Sequence, residues 1–215
     1  PVAATTRKLS RAAALVVGDV IVTGADGRAD VVFGDGSFVQ LPPSTTLQLI
    51  ENAPGRDVKA AVLLWRGRVW TRANSTGETQ IVVVTRRTTS SSRSTLAADT
   101  PPVVFDVRED TDASRLHVWA GEVSVRADAA CGTIDDEHPD GDPATSDHPC
   151  LAVGRSHLLG PQTGLRVPRG QRARDAQPAA ERDDAVTDAW TTRNRARDEV
   201  LDMAQKKQKR AAPPK

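Results

Sequence analysis

From Val16 to Ala127 the sequence is a succession of short Val-rich segments, each cut off by glycine, proline or an Asp-Gly pair. The segments are 20–23, 28–33, 37–41, 45–51, 59–65, 68–73, 79–85, 103–108, 115–120 and 122–127. They are too short for helices, rich in β-branched residues, and spaced as the strands of an all-β sandwich, barrel or stacked β layers are spaced. Asp26-Gly27, between 20–23 and 28–33, and Asp35-Gly36, between 28–33 and 37–41, supply the positive φ angles that tight hairpin turns require. Alternation supports strands: Val103, Phe105 and Val107 fall on one side, Val104, Asp106 and Arg108 on the other. Val123 and Val125 alternate likewise with Ser124 and Arg126.

One pattern recurs. Leu64-Trp65-Arg66-Gly67-Arg68-Val69 is echoed 54 residues later by Val118-Trp119-Ala120-Gly121-Glu122-Val123. Each reads as strand, tight glycine turn, strand, and the pair suggests two similar β layers or two ordinary hairpins. Two copies do not make a solenoid. Residues 86–100 are rich in Ser and Thr and carry three arginines, a loop composition. After the core, 151–160 and 164–174 read as one or two edge strands kept short by Pro161 and Pro168.

Charge and length exclude several classes. Lys+Arg 29 against Asp+Glu 28 leaves a net charge of +1, with no Tyr and three Phe, so specific nucleic-acid binding is not expected. The longest aliphatic run is Ile81–Val84, far short of the roughly 20 residues of a membrane helix, so no transmembrane segment is expected. The sequence opens on Pro1, which reads as a processed or excised form.

Cys131 and Cys150 are the two cysteines. They bracket a segment, 128–150, with seven acids, three prolines and no Lys or Arg. Such a stretch cannot build a core, and reads as an exposed acidic loop (129–150) stapled at its base by a disulfide. The alternative is two free thiols. Metal readings are imaginable there: zinc on Cys131, His138, His148 and Cys150, or calcium on Asp135, Asp136, Glu137, Asp140 and Asp142. Neither has a recognised ligand spacing, and a solvated loop is the plain reading, so no metal or other cofactor is expected. There is no G-x-S-x-G elbow, and hydrolase chemistry has no support.

The pattern changes after Pro178. No Gly or Pro interrupts the chain until past Arg210, and Val186, Ala189, Trp190, Val200, Leu201 and Ala204 form a narrow apolar stripe. A helix is predicted over 180–207, followed by a basic tail. An isolated helix of this length is marginal in water, so it packs on the β domain or docks on another subunit. The reading leans to a partner, with Trp190, Val186 and Leu201 as the contact residues. The organisation is thus an N-terminal arm (1–14), a β domain (15–128), an acidic loop (129–150), edge strands and linker (151–178), and helix plus tail (179–215).

With those residues in view, the sequence resembles the FecR domain family of bacterial envelope proteins. Gly18-Asp19-Val20-Ile21-Val22-Thr23-Gly24 is similar to the family's opening, and Asp35-Gly36-Ser37 to its following turn. Leu41-Pro42-Pro43-Ser44 with Leu47 and Leu49, then Leu64 to Trp70, and finally Val118 to Val125, continue the likeness in order. Residues 99–107, with Pro101-Pro102, depart from the Gly-Thr step the family has there. The resemblance implies a twisted two-layer β domain of short antiparallel strands followed by a C-terminal helix. It also implies an extracytoplasmic, non-enzymatic protein of the periplasm or cell surface, a partner- or ligand-binding module in signalling or assembly. The alternative is a structural subunit of a cell-surface or envelope complex. Partners are expected to be proteins, engaged by addition to a sheet edge or by docking of the C-terminal helix.

Overall fold

The computed structural model describes residues 8–9, 12–50, 60–74, 80–93, 101–127, 156–168 and 189–211. The chain divides into two compact units, Pro1–Glu181 and Arg182–Lys215. The first holds twelve strands among its described residues: β1 (Val20–Val22), β2 (Ala29–Val32), β3 (Phe38–Leu41), β4 (Thr46–Ile50), β5 (Ala60–Ala73), β6 (Ile81–Val84), β7 (Thr88–Arg93), β8 (Val103–Glu109), β9 (Ala113–Ala120), β10 (Glu122–Ala127), β11 (Ser156–Leu159) and β12 (Thr163–Pro168). The second holds α1 (Ala189–Ala211).

The strands form two layers that share β5. The first layer runs β1-β4-β5-β6-β7-β10-β11 and uses the N-terminal half of β5. The second runs β2-β3-β5-β8-β9-β12 and uses its C-terminal half. Inward side chains of both layers merge into one core, with Ile21, Leu47, Val62, Leu64, Ile81, Val83, Val123 and Val125 from the first and Val31, Val39, Val69, Phe105, Val107, Leu116, Val118 and Leu165 from the second. Enclosing each such side chain contributes about 1.5–3 kcal/mol relative to exposure. The all-β, two-layer architecture followed by a helix is therefore as expected, and β11 and β12 are edge strands.

The recurring Trp-Gly pattern is not a pair of hairpins. It is a device used twice, in opposite directions, to carry the chain between layers. In β5 the inward residues are Ala60, Val62 and Leu64, and then Val69 and Ala73. A spacing of five between two inward residues is impossible in a regular strand, where like faces recur every second residue. The register supplies the reason: Thr46 pairs Arg66 while Leu47 pairs Leu64, so Trp65 is the extra residue of a β-bulge. On β9, Val104 pairs Ala120 while Phe105 pairs Val118, so Trp119 is again the extra residue, and Val118 and Val123 are both inward. Each bulge flips the alternation, and two residues later a glycine with positive φ, Gly67 (+93°) or Gly121 (+73°), turns the chain into the other layer.

The bulges leave backbone groups to be satisfied, and neighbours supply the partners. The Thr45 hydroxyl accepts from the Arg68 amide at 3.3 Å beside the first bulge. At the second, Gln162 donates its amide to the Val118 carbonyl at 2.7 Å and its Nε2 to the Trp119 carbonyl at 3.2 Å.

Other expectations need correction. Segments 59–65 and 68–73 are one fourteen-residue strand, because a bulge bends a strand without ending it. β6 runs parallel to β5, with residues 64–80, including the second half of β5, serving as the crossover. The 20–23 and 28–33 segments are not a hairpin: β1 pairs with β4 in one layer and β2 with β3 in the other. The tight hairpin turn is the β2–β3 one, where Gly36 has φ +80° and Asp35 accepts from the Ser37 amide and hydroxyl, both at 2.9 Å. Within the supposed Ser/Thr loop, Thr88–Arg93 is a strand between β6 and β10. Its alternate residues Thr88, Ser90 and Ser92 are buried, and the Ser92 hydroxyl accepts from the Ile81 amide at 2.9 Å. Small hydroxyl side chains that bond backbone can line a core as aliphatic ones do.

Helix α1 extends four residues beyond the expected end, to Ala211, just before Pro213-Pro214. The expected start, 180–188, lies outside the described residues. Val200 and Met203, three positions apart, are exposed.

Candidate functional site: the outer face of the second layer

The alternation that turns valines inward sends a different set of residues to the outer face of the second layer. Register places Asp30, Gln40, Trp70, Asp106 and His117 in one line across β2, β3, β5, β8 and β9. The line is buried at its centre, with Trp70 fully enclosed and His117 3% exposed. Gln40 Nε2 donates to Asp30 Oδ1 at 3.0 Å. Arg68 Nε donates to Asp106 Oδ2 at 2.7 Å, and its NH2 group reaches the same oxygen. Trp70 stacks on Trp119 with ring centroids 5.7 Å apart, and His117 tilts against Trp119 at 4.1 Å.

Beside it, towards the β8–β9 turn, lies a line of four arginines: Arg68, Arg108, Arg115 and Arg166 on β5, β8, β9 and β12. Carboxylates of the turn serve it. Asp110 Oδ2 accepts from Arg108 Nε at 2.8 Å and also pairs with Arg115. Asp112 Oδ2 accepts from Arg115 and Arg166, each at 3.1 Å. Desolvation works against the Asp112 anion, but the Arg166 hydrogen bond, the Arg115 charge, a hydrogen bond from its own backbone and the Arg166 charge together hold its carboxyl below the ordinary value.

Under the same turn sits Glu109, inward-facing and 2% exposed. Ser114 donates to one of its oxygens and Arg87, from the β6–β7 turn, to the other. Arg87 also donates to the Asp110 and Thr111 carbonyls at 3.3 and 3.2 Å, and Thr85 Oγ1 lies 3.2 Å from Ser114 Oγ. Burial pushes the Glu109 carboxyl up to about 7, against the Ser114 hydrogen bond and the charges of Arg87 and Arg86, while Asp110 adds to the rise. This cluster joins a hairpin of each layer at one end of the domain.

Of the residues singled out from the sequence, Trp190 and Leu201 lie on α1, eleven positions or about three turns apart and so on one face. Val186, Cys131 and Cys150 lie outside the described residues, as do His138, His148 and the acidic run considered for metal binding. The arginine line, Asp106 and Glu109 were not singled out. The signal of the arginines and Asp106 was in the sequence only as outward positions of candidate strands, and Glu109 fell just past the end of one; pairing across strands is what brings them together.

Residues 19–124 match the family described as FecR protein. The chain carries a FecR domain. The match runs from just before β1 into β10, so β11, β12 and α1 lie beyond it. Both bulge-and-glycine crossovers fall inside the FecR domain. The Pro101-Pro102 departure leaves β8 intact, paired on both sides by β5 and β9. Two crystal structures of a proposed anti-sigma factor from Parabacteroides distasonis ATCC 8503, at 1.65 and 2.50 Å resolution, are similar over 75% of this chain at 15% identity, with TM-scores of 0.47 and 0.46. The similarity covers 58% of those chains, so this chain spans less than two thirds of their length. No curated protein matches the sequence. Among the described residues no helix is long and apolar enough to cross a membrane.

Proposed function

We propose that this chain is a non-enzymatic, extracytoplasmic partner-binding module of the bacterial envelope, acting in signalling or assembly through its FecR domain. The FecR match over residues 19–124 carries the reading. The architecture is consistent with it: a two-layer scaffold with four edge strands, β1, β11, β2 and β12, is a means of engaging an extended segment of another chain. The outer face of the second layer adds charged groups held in place by register. On α1, Trp190 and Leu201 share a face and are the proposed helix contacts to a partner, with Val186 as a third contact.

The test is affinity capture of the tagged full-length chain from an envelope fraction, with mass spectrometry of what co-purifies. Substoichiometric capture of a receptor or regulator supports signalling. Capture in fixed ratio within a large complex points to a structural subunit. Partners confined to the cytoplasm would overturn the envelope reading.

A further inference from the structure

Four arginines that are far apart in sequence stand in single file in the fold. Arg68 is opposite Arg108, Arg108 opposite Arg115, and Arg115 opposite Arg166. At roughly 4.8 Å between strands the file is about 14 Å long. Like charges directly opposite one another in a sheet are unfavourable, and here three successive pairs are alike. The offset is partial. Asp106 takes Arg68, while among the described residues Asp110 is shared by Arg108 and Arg115 and Asp112 by Arg115 and Arg166, so these three guanidinium groups meet two carboxylates.

The file also opens to solvent from β8 to β12, where Arg115, between Arg108 and Arg166, is 31% exposed. Arg68 is 14% exposed, but Arg108 and Arg166 are 54% and 53% exposed. A guanidinium offers five N–H donors in a planar fork, so groups that share one carboxylate oxygen retain capacity for another anion. The anions already present show the chemistry that fits: carboxylates on a short peptide segment, the Asp110–Asp112 turn, reaching two arginines each.

We propose that this arginine file is a docking surface for an acidic protein segment that presents two or three carboxylates at intervals of about 5–7 Å, the spacing of same-face residues on a strand or helix. It rests on the partner-binding reading only in taking the occupant to be a protein. A phosphate polymer or anionic membrane is disfavoured, because those respond to dense net positive charge. The file is single, contains no lysine and is largely neutralised by its own aspartates.

The full-length chain is titrated against a fluorescein-labelled octaglutamate peptide by fluorescence anisotropy, at low salt. Binding is expected, and R108Q/R166Q should weaken it by about tenfold or more. A control, R28Q/R93Q, removes two exposed arginines that lie off the file, before β2 and on β7, leaves the net charge equal to that of the test variant, and should bind like wild type. Near-identical melting curves for the two double variants establish that both are folded. Absence of octaglutamate binding to wild type overturns the proposal, as does equal loss in both double variants. So does inorganic polyphosphate of matched charge binding more tightly than the peptide with the same dependence on Arg108 and Arg166. Peptide binding with no envelope partner captured would sink the envelope reading and leave the file standing. An envelope partner that R108Q/R166Q still captures, with no peptide binding, would do the reverse.

Discussion

Trp70 and Trp119 stack across β8, ring on ring at 5.7 Å and 27° between planes. Trp70 leaves β5 three residues after the Gly67 crossing, and Trp119 is the extra residue of the bulge before the Gly121 crossing. The contact therefore fastens together the two places where the chain changes layer.

Truncating Trp70, which has no exposed surface, should cost roughly 3–5 kcal/mol. In a double-mutant cycle with Trp119→Ala the coupling should be about 0.5–1.5 kcal/mol, the excess an aromatic pair supplies beyond burial. Urea unfolding of the four proteins measures it. A coupling indistinguishable from zero would show that the stack is mere proximity.

Glycine is required at the crossings for two separate reasons. A Cβ at Gly67 would lie 2.6 Å from Thr45 Oγ1 and 2.8 Å from Thr45 Cα, and one at Gly121 would lie 3.0 Å from Val103 Cα. Positive φ adds strain for any other residue. Gly67→Ala and Gly121→Ala should each destabilise by about 2–5 kcal/mol. Gly18→Ala shares the positive φ but meets open space, so about 1–2 kcal/mol is expected. Equal effects at all three sites in thermal unfolding would contradict the steric part of this account.

Glu109 makes stability depend on pH in a stated direction. Its carboxyl titrates near 7 folded, against an ordinary 4.5, so the folded state holds the proton more tightly. Its contribution is whole below about pH 4.5 and is lost as pH rises to about 7, by on the order of 3 kcal/mol. Glu109→Gln should flatten that slope in urea titrations between these limits. An unchanged slope would place the pH dependence elsewhere.

Cys131 and Cys150 are proposed to be paired. Protein purified without reductant should then resist alkylation and weigh two hydrogens less than the dithiol. Reduction should cost about 3 kcal/mol for a loop of this length. Full alkylation of native protein without reductant would remove the cross-link, and with it one support for an extracytoplasmic location.

The helix is proposed to act on a partner. Deleting 180–215 should leave the melting temperature of the β domain nearly unchanged while abolishing complex formation. A truncation that unfolds the β domain would make α1 part of the intramolecular structure instead.

The strands, the two-layer class and the terminal helix were legible because they follow from local properties. β-branched alternation, turn residues and a Gly- and Pro-free run act over a few neighbours, and the FecR likeness lay in the order of those local pieces. Even the crossings left a mark, since the spacing of five between Leu64 and Val69, and between Val118 and Val123, is a bulge written in sequence. What the bulge did with the chain was not written there. A strand that continues, one that turns back as a hairpin and one that passes to the facing layer have the same local sequence, and only the partners on either side distinguish them. The polar strand Thr88–Arg93 was misread for the same reason: what it packs against is set by other elements, which bring the Ile81 amide to the Ser92 hydroxyl and the Thr85 hydroxyl to that of Thr88. Arg68, Arg108, Arg115 and Arg166 are the plainest case. Each is an ordinary outward residue of its own strand, and they become one charged line only through the registers of three pairings, which are set by long-range hydrogen bonding and core packing rather than by any neighbour in the chain.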